Sequence, residues 1–466
     1  MTKLWHKGYG LHGQVEHFEA AQNSLLDNRL IRHDVWGSLA HSAMLKKLGI
    51  LSDAECRTLH TQLRNILRLA EEDLFTLTQA DEDIHTRIEH YLTEHAGEAG
   101  KNIHTGRSRN DQVLVDMRLF GKEQLHQVAA VLHELCKALL DLATRHMDTP
   151  MPGYTHMQRA MLSSVGLWAA SFAEALLDDA HLLSTAYELN DQSPLGSAAG
   201  YGVPLAIDRQ YTADLLGFAR VQNNVIYVQN GRGKIEAAIV QALAQIMLDL
   251  SKFAQDVLLF TTLEYGFFQL PQELCTGSSM MPQKRNIGVM ELVRARTSTM
   301  LALQQQIMSI ISALPSGFNM DYQETKRPFM EALDLVQESL EICTLVANNL
   351  LVNTASLAAA CTFELFATDR AYAMAATEGR PFRDAYRIVG QQVIAQIDRV
   401  RAAGQPLPVE SPLQLSERLR ARTHQGGAGN PGLEQAYERL AASQKAWRAR
   451  SEQFSSAIAR LVGMYR

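Results

Sequence analysis

Residues 277–286, Gly-Ser-Ser-Met-Met-Pro-Gln-Lys-Arg-Asn, place two hydroxyls, an initial glycine and strong hydrogen-bond donors within ten positions. That is the composition of a loop that grips an anion. Ser278 and Ser279 can take or give a proton, Lys284 and Asn286 can hold a carboxylate, and Gly277 lets backbone amides approach a substrate closely. A polar surface loop opened by glycine has the same composition, so the chemistry depends on what else the chain supplies.

Three further polar clusters supply it. Asp83-Ile84-His85 and residues 104–112, His-Thr-Gly-Arg-Ser-Arg-Asn-Asp-Gln, form the first. Here Ser108, Arg109 and Asn110 offer hydroxyl, guanidinium and amide donors in succession, a set suited to a carboxylate. The same residue types also make a capped helix start. Residues 151–159, Met-Pro-Gly-Tyr-Thr-His-Met-Gln-Arg, contain His156, an acid–base candidate because imidazole titrates near neutral pH. A lone histidine is commonly structural. Residues 318–326, Phe-Asn-Met-Asp-Tyr-Gln-Glu-Thr-Lys, complete the set.

Other chemistries find no support. The glycines of residues 193–202 fall at the wrong spacing for a dinucleotide fingerprint, and no strand precedes them. No His-Glu-x-x-His or comparable spacing indicates a metal, and the serines lack the strand-flanked elbow of hydrolases.

The segments between the clusters must position them. Leu125, Val128, Leu132, Leu135, Leu139 and Leu142 recur at spacings of three and four, which predicts a helix over about 119–148. Similar seams predict helices over 161–188 (Val165, Trp168, Phe172, Leu176, Leu183), 235–263 (Ile239 to Val257), 289–314 (Met300 to Leu314) and 328–352 (Phe329 to Cys343). Each would run roughly 40 Å. Five such helices imply an elongated bundle, with the polar clusters at its helix ends. Apolar residues off the main seam, such as Ile342 and Leu345, predict that bundles of several subunits pack together. The expected division is residues 1–112 as an N-terminal helical domain, 113–362 as the central bundle and 363–466 as a small C-terminal helical domain. Shorter helices are expected at 30–49 and 53–71. Val225 to Val228 reads as a short strand or loop, and no strand-rich region is visible.

A chain of 466 residues, 46% of them hydrophobic, has ample apolar content for a large core. A net charge of −6 offers no basic field for nucleic acid. Five widely spaced cysteines suggest neither a disulfide framework nor a zinc site, and read as reduced thiols of a cytoplasmic protein. The first residues lack an apolar signal core and no uninterrupted apolar run reaches membrane-spanning length, so neither secretion nor membrane insertion is expected.

Taken together, the clusters resemble the fumarase/aspartase superfamily, and within it the argininosuccinate lyase family. Residues 277–286 look like its mobile signature loop, and residues 104–112 and 153–160 like its other two segments. The resemblance spans nearly the whole chain. It implies a mainly α, three-domain subunit, a homotetramer with a twenty-helix core, active sites shared between subunits, and cofactor-free cleavage of argininosuccinate into arginine and fumarate. It assigns Ser278 as the base that takes the Cβ proton, Lys284 and Asn286 as stabilisers of the aci-carboxylate, His156 as the residue linked to protonating the departing nitrogen, and Glu291 as its orienting carboxylate. Thr155, Ser108, Arg109 and Asn110 would bind the succinyl carboxylates, and Gln323, Lys326 and Asp27 the arginine part. Asn23 stands where the family has a serine, and Arg232 matches one residue of an otherwise altered acidic run.

Two departures concern the same site. Ile287-Gly288 replaces the usual Pro-Asp after the loop, and Phe318 replaces a tyrosine. Two other readings remain: a fumarate-releasing lyase acting on another N-substituted aspartate, and a non-catalytic relative that keeps the fold.

Overall fold

The structure, a computed structural model, describes residues 12–20, 26–77 and 81–465. Helices dominate it. The N-terminal part contributes α1 (Ile31–Lys47), α2 (Asp53–Glu71) and α3 (Ile84–Ala96), followed by the long α4 (Arg109–Arg145). A hairpin of β1 (Pro150–Thr155) and β2 (Gln158–Ser164) leads into α5 (Val165–Asn190). The core continues with α6 (Lys234–Phe260), α7 (Gly288–Ile311) and α8 (Lys326–Asn349). Short helices and two longer ones, α9 (Ala367–Glu378) and α10 (Phe382–Ala402), precede the last helix, α11 (Leu433–Gly463).

The five long helices are those their apolar seams predict, with two displaced boundaries. The first begins at Arg109, ten residues before the expected 119. Its early turns bury Asp111, Gln112, Asp116 and Arg118 among Leu114, Val115 and Met117, and these buried polar residues interrupt the apolar seam. Ser108 fixes the start through a capping box with Asp111. The second begins at Val165 because the preceding residues pair in the hairpin. Val225 to Val228 is neither strand nor loop but the start of a short helix, Val225–Asn230. The Asn224 side chain accepts from the amides of Ile226 and Tyr227, both at 2.9 Å, and this cap overrides the β preference of Val-Ile-Tyr-Val.

One apolar core joins the five helices, with α4 against α5 and α8, and α6 against α5, α7 and α8. α11 packs back along α4 and α5 and reaches α1. A second core unites α1, α2, α3 and the C-terminal turns of α11. By length and composition α6 could cross a membrane, but Ile239, Leu243, Ile246 and Leu250 are buried among the other core helices. All five cysteines are free, and Cys56, Cys136, Cys343 and Cys361 are buried.

The glycine-rich segment 193–202 proves to be a structural clasp. It wraps the buried Asp111 carboxylate, whose Oδ2 accepts from the amides of Gly196 and Ala198 at 2.9 Å each, while Oδ1 takes the Ser108 amide. Positive φ at Gly196, Ala198, Gly200 and Gly202 turns those amides inward. The clasp therefore pins the start of α4, the helix end that the site depends on.

Within α5, Asp179 is buried with Oδ2 unpartnered. Burial first, then the charges of Asp249 and Asp178, push its carboxyl up to about 7. A group raised in this way leaves stability intact below about pH 4, where it is neutral folded or unfolded, and stability is lost as the pH climbs to about 7. Asp179→Asn should therefore raise Tm by more at pH 8 than at pH 5. Thermal melts at the two pH values check this, and an equal shift at both would contradict it.

Candidate functional site

Arg109 and Asn110 open α4, Asp27 precedes a short turn leading to α1, Arg232 precedes α6, and Gln323 and Lys326 lie at the entry to α8. These positions, far apart in sequence, line one cavity of about 190 Å³. They meet because the N-termini of α4, α6 and α8 share one end of the bundle.

The cavity's positive charges are compensated in different ways. Arg109 donates from Nη1 to Glu82 Oε1 and from Nη2 to Thr86 Oγ1, each at 2.9 Å, with Asp83 Oδ2 at 3.5 Å. Lys326 Nζ donates to Asp27 Oδ1 at 2.7 Å, and both residues are buried. Arg232 lies over the rings of Phe318 and Tyr322, at 5.0 and 5.6 Å from their centroids, and burial lowers its pKa to about 10. Phe318 thus presents a ring face to a guanidinium where a hydroxyl was expected.

Ser108 does not line the cavity. Its hydroxyl accepts from the Asn110 amide at 3.3 Å, so the capped-helix reading holds for this residue. Asn23 lies outside the described residues.

The remaining candidates sit at the opposite end. Thr155 and His156 are exposed at the hairpin tip, where His156 and Met157 have φ of 52° and 61°. Two successive left-handed residues make the two-residue turn that matches the twist of its strands. Tyr154, next to the tip, contacts the rings of Phe260 and Tyr265 at the far end of α6. Glu291 is exposed in the first turn of α7 and has no hydrogen bond to His156.

The loop that holds Ser278 is pinched at its neck, where Thr276 and Asn286 exchange backbone hydrogen bonds of 2.9 and 2.8 Å. Ser278 Oγ accepts from the amides of Met280 and Met281 at 3.3 and 3.1 Å, while Lys284 is exposed. Those amides favour negative charge on the oxygen, as a serine base requires. Asn286 Nδ2 reaches the Gly277 carbonyl at 3.4 Å. Ile287 is buried and caps α7, so in this chain the loop is anchored by an apolar side chain instead of a proline.

The two ends are separated by the length of α6, 27 residues or about 40 Å. Within one subunit the structure gathers Asp27, Arg109, Asn110, Arg232, Gln323 and Lys326 at one end. It leaves Ser278, Lys284, Asn286, His156, Thr155 and Glu291 at the other.

Other cavity residues had no individual role assigned from the sequence, although Asp83, His85 and Met320 lie in its polar clusters. Glu82, Asp83 and His85 line the cavity, as does Met320. Asp83 had a visible signal, since it precedes an apolar periodic stretch and caps α3 through the Thr86 amide at 2.7 Å. Behind His85, Asp34 and Asp116 are fully buried, and the ligand-type atoms of the three lie within 4.8 Å of one another. Asp34 is already saturated, by His85, by Ser38 at 3.2 Å and by Gln112 at 2.9 Å, and the Arg107 charge lies close by. Such a set is organised around protons more than around a cation.

A family profile described as lyase matches residues 15–301. Curated argininosuccinate lyases are similar along most of the chain. That of Thermotoga neapolitana is 42% identical over 84% of this chain and 98% of its own. That of Sorangium cellulosum is 42% identical over 94% of this chain and 98% of its own. Among solved structures, an EDDS lyase variant with bound fumarate matches with a TM-score of 0.81 at 22% identity, covering 97% of this chain and 95% of that one. The class II fumarase of Schistosoma mansoni matches with a TM-score of 0.71 at 14% identity, covering 90% and 93%. These two share the fold.

The buried Lys326–Asp27 pair joins the floor of the cavity across 299 residues of sequence. Lys326→Met strands a buried carboxylate and should cost about 3–5 kcal/mol, whereas adding Asp27→Asn should restore much of it. Denaturant melts of the two single variants and the double variant check this, and simple additivity would contradict it.

Proposed function

This chain belongs to the argininosuccinate lyase family of the fumarase/aspartase superfamily, and from that premise we propose that it catalyses the reversible elimination of argininosuccinate to L-arginine and fumarate, a step of arginine biosynthesis. The observation that carries the reading is the cavity itself. Six residues from four separated segments converge on it, with three cations among them.

Elimination beside a carboxylate removes a weakly acidic proton, so the site must stabilise a dianionic intermediate. Arg109 and Asn110 hold the succinyl carboxylates, with Thr155 supplied from the other end of a second subunit. Gln323, Lys326 and Asp27 face the arginine part, and Arg232 adds positive charge in a setting from which water is largely excluded. Ser278 takes the Cβ proton, and Lys284 and Asn286 meet the negative charge that forms. His156, steadied by Glu291, completes the acid–base set.

Because these two groups lie about 40 Å apart in one chain, the working site requires neighbouring subunits. We propose the homotetramer the family resemblance implies, with α7 at its centre. From Thr297 to Ile311 that helix has no charged residue, yet Leu301 and Met308 are exposed. Leu345 of α8 and Leu292 of α7 are exposed in the same way. Assembly would bury these side chains and bring the Ser278 loop of one subunit over the Arg109 cavity of another. The proposed location is the cytoplasm.

A second reading, cleavage of another N-substituted aspartate, draws on Phe318 and Met320, which make the amine side of the cavity less polar. Incubation with argininosuccinate, followed by fumarate absorbance, distinguishes the two. Wild-type protein should release fumarate from argininosuccinate, and Ser278→Ala should lower kcat by at least about 100-fold with KM changed far less. Turnover of another succinyl-amine but not this one would move the assignment to the second reading, and full activity in Ser278→Ala would overturn the mechanism.

A further inference from the structure

The first turn of α3 runs along the cavity wall between its two ion pairs. Glu82 and Asp83 hold Arg109, and the Ile84 amide donates to Asp27 Oδ2 at 3.4 Å beside Lys326. His85 comes next. It stands between the cation placed for the succinyl group and the pair placed for the amine, where the scissile C–N bond of a bound substrate would lie.

The ring is held from behind. Nδ1 is hydrogen-bonded to Asp34, with Asp116 Oδ2 at 3.7 Å. Nε2 has no protein partner among the described residues and is the nitrogen left to the cavity that His85 lines. Burial opposes charge on Asp34, but His85, Arg107 and Gln112 outweigh it and hold the carboxyl below its usual range. Burial and then the Asp34 charge drive Asp116 well above that range, and neither of its oxygens finds a donor. The environment therefore favours the anion at Asp34 and the neutral acid at Asp116. Other charged groups near this turn are Glu82, Asp83 and Glu89, His104 and Arg107 ahead of α4, Arg109 at its start, and the Asp27–Lys326 pair. An imidazole with Nδ1–H committed to a carboxylate exchanges its proton at Nε2.

We propose that His85 is a further catalytic residue of this elimination, giving its Nε2 proton to the nitrogen that departs as arginine. The inference rests on the proposed lyase function. When the Cβ–H bond breaks, its electron pair is first held in the adjacent carboxylate as the dianionic aci-form, and it then forms the new C=C bond as the C–N bond opens. The C–N pair goes to nitrogen, which takes the proton from Nε2, and His85 regains one from solvent as the base releases its own. Asp34 is a positioning residue that fixes the tautomer. The family resemblance links this protonation to His156, which a neighbouring subunit would bring from the same helix end as the Ser278 loop, whereas His85 belongs to the subunit that forms the cavity.

The test is His85→Asn in the assembled enzyme, since asparagine keeps a donor for Asp34 and deletes Nε2. Fumarate release should fall at least about 100-fold. In deuterium oxide the variant should still exchange the Cβ proton of argininosuccinate, read by NMR, because proton abstraction does not need His85. A structural role alone would lower exchange and elimination together. His85→Gln, similar in size, should show the same split if the asparagine variant folds poorly. Elimination within a few fold of wild type, or exchange lost in parallel with it, would overturn the proposal. Failure of the wild-type enzyme to release fumarate from argininosuccinate would instead overturn the lyase reading on which it rests.

Discussion

The stiffness of five long helices is the constraint on which everything else depends. α4 alone has 37 residues, about 55 Å of continuous backbone hydrogen bonding, and it neither folds back nor shortens. Connected up and down, such helices must deliver some loops to one end of the bundle and the rest to the other. The carboxylate-binding cavity falls at the end where α4, α6 and α8 begin. The serine loop and the histidine hairpin fall where α4 and α6 finish. Separation of the chemistry is thus a consequence of helix length, and association of subunits is the means of undoing it.

Each end meets a different physical demand. The cavity end holds its charges buried or half-buried, and most are compensated: Lys326 by Asp27, Arg109 by Glu82 and Asp83, Asp111 by three backbone amides. That network fixes a rigid surface before substrate arrives. The other end is exposed, with the Ser278 loop tethered at a two-residue neck and His156 on a tight turn. A loop held only at its neck can move onto a partner without disturbing the core. The pairing of a rigid, charged floor with a movable, proton-abstracting cover follows from these two settings.

Legibility in the sequence followed the same divide. Where helices bury leucines, as at Leu132 or Leu243, periodicity located them within a few residues. At the start of α4 it failed, because Asp111, Asp116 and Arg118 are buried between Leu114, Val115 and Met117 and break the apolar period. The hairpin at 150–164 escaped notice for a related reason: its turn is His156-Met157, without the Asn-Gly or Asp-Gly signal that marks most such turns. Single side chains at 232, 323 and 326 could be assigned from the family resemblance. His85 and its two buried carboxylates could not, since their meaning lies in contacts across 31 and more residues that no local pattern encodes. Nor could the sequence show that Ser108 spends its hydroxyl on a cap while its neighbour Arg109 faces the cavity.

Whether the site is divided between subunits can be asked of the molecule directly. A variant broken at the cavity, Arg109→Met, and one broken at the loop, Ser278→Ala, each disable one end. Unfolded together in equal amounts and reassembled, they should recover about a quarter of wild-type fumarate release, the chance that two independently drawn chains are each intact at the end they supply. If no activity returns although mixed oligomers form, each chain must hold a complete site of its own, and the division described here is wrong.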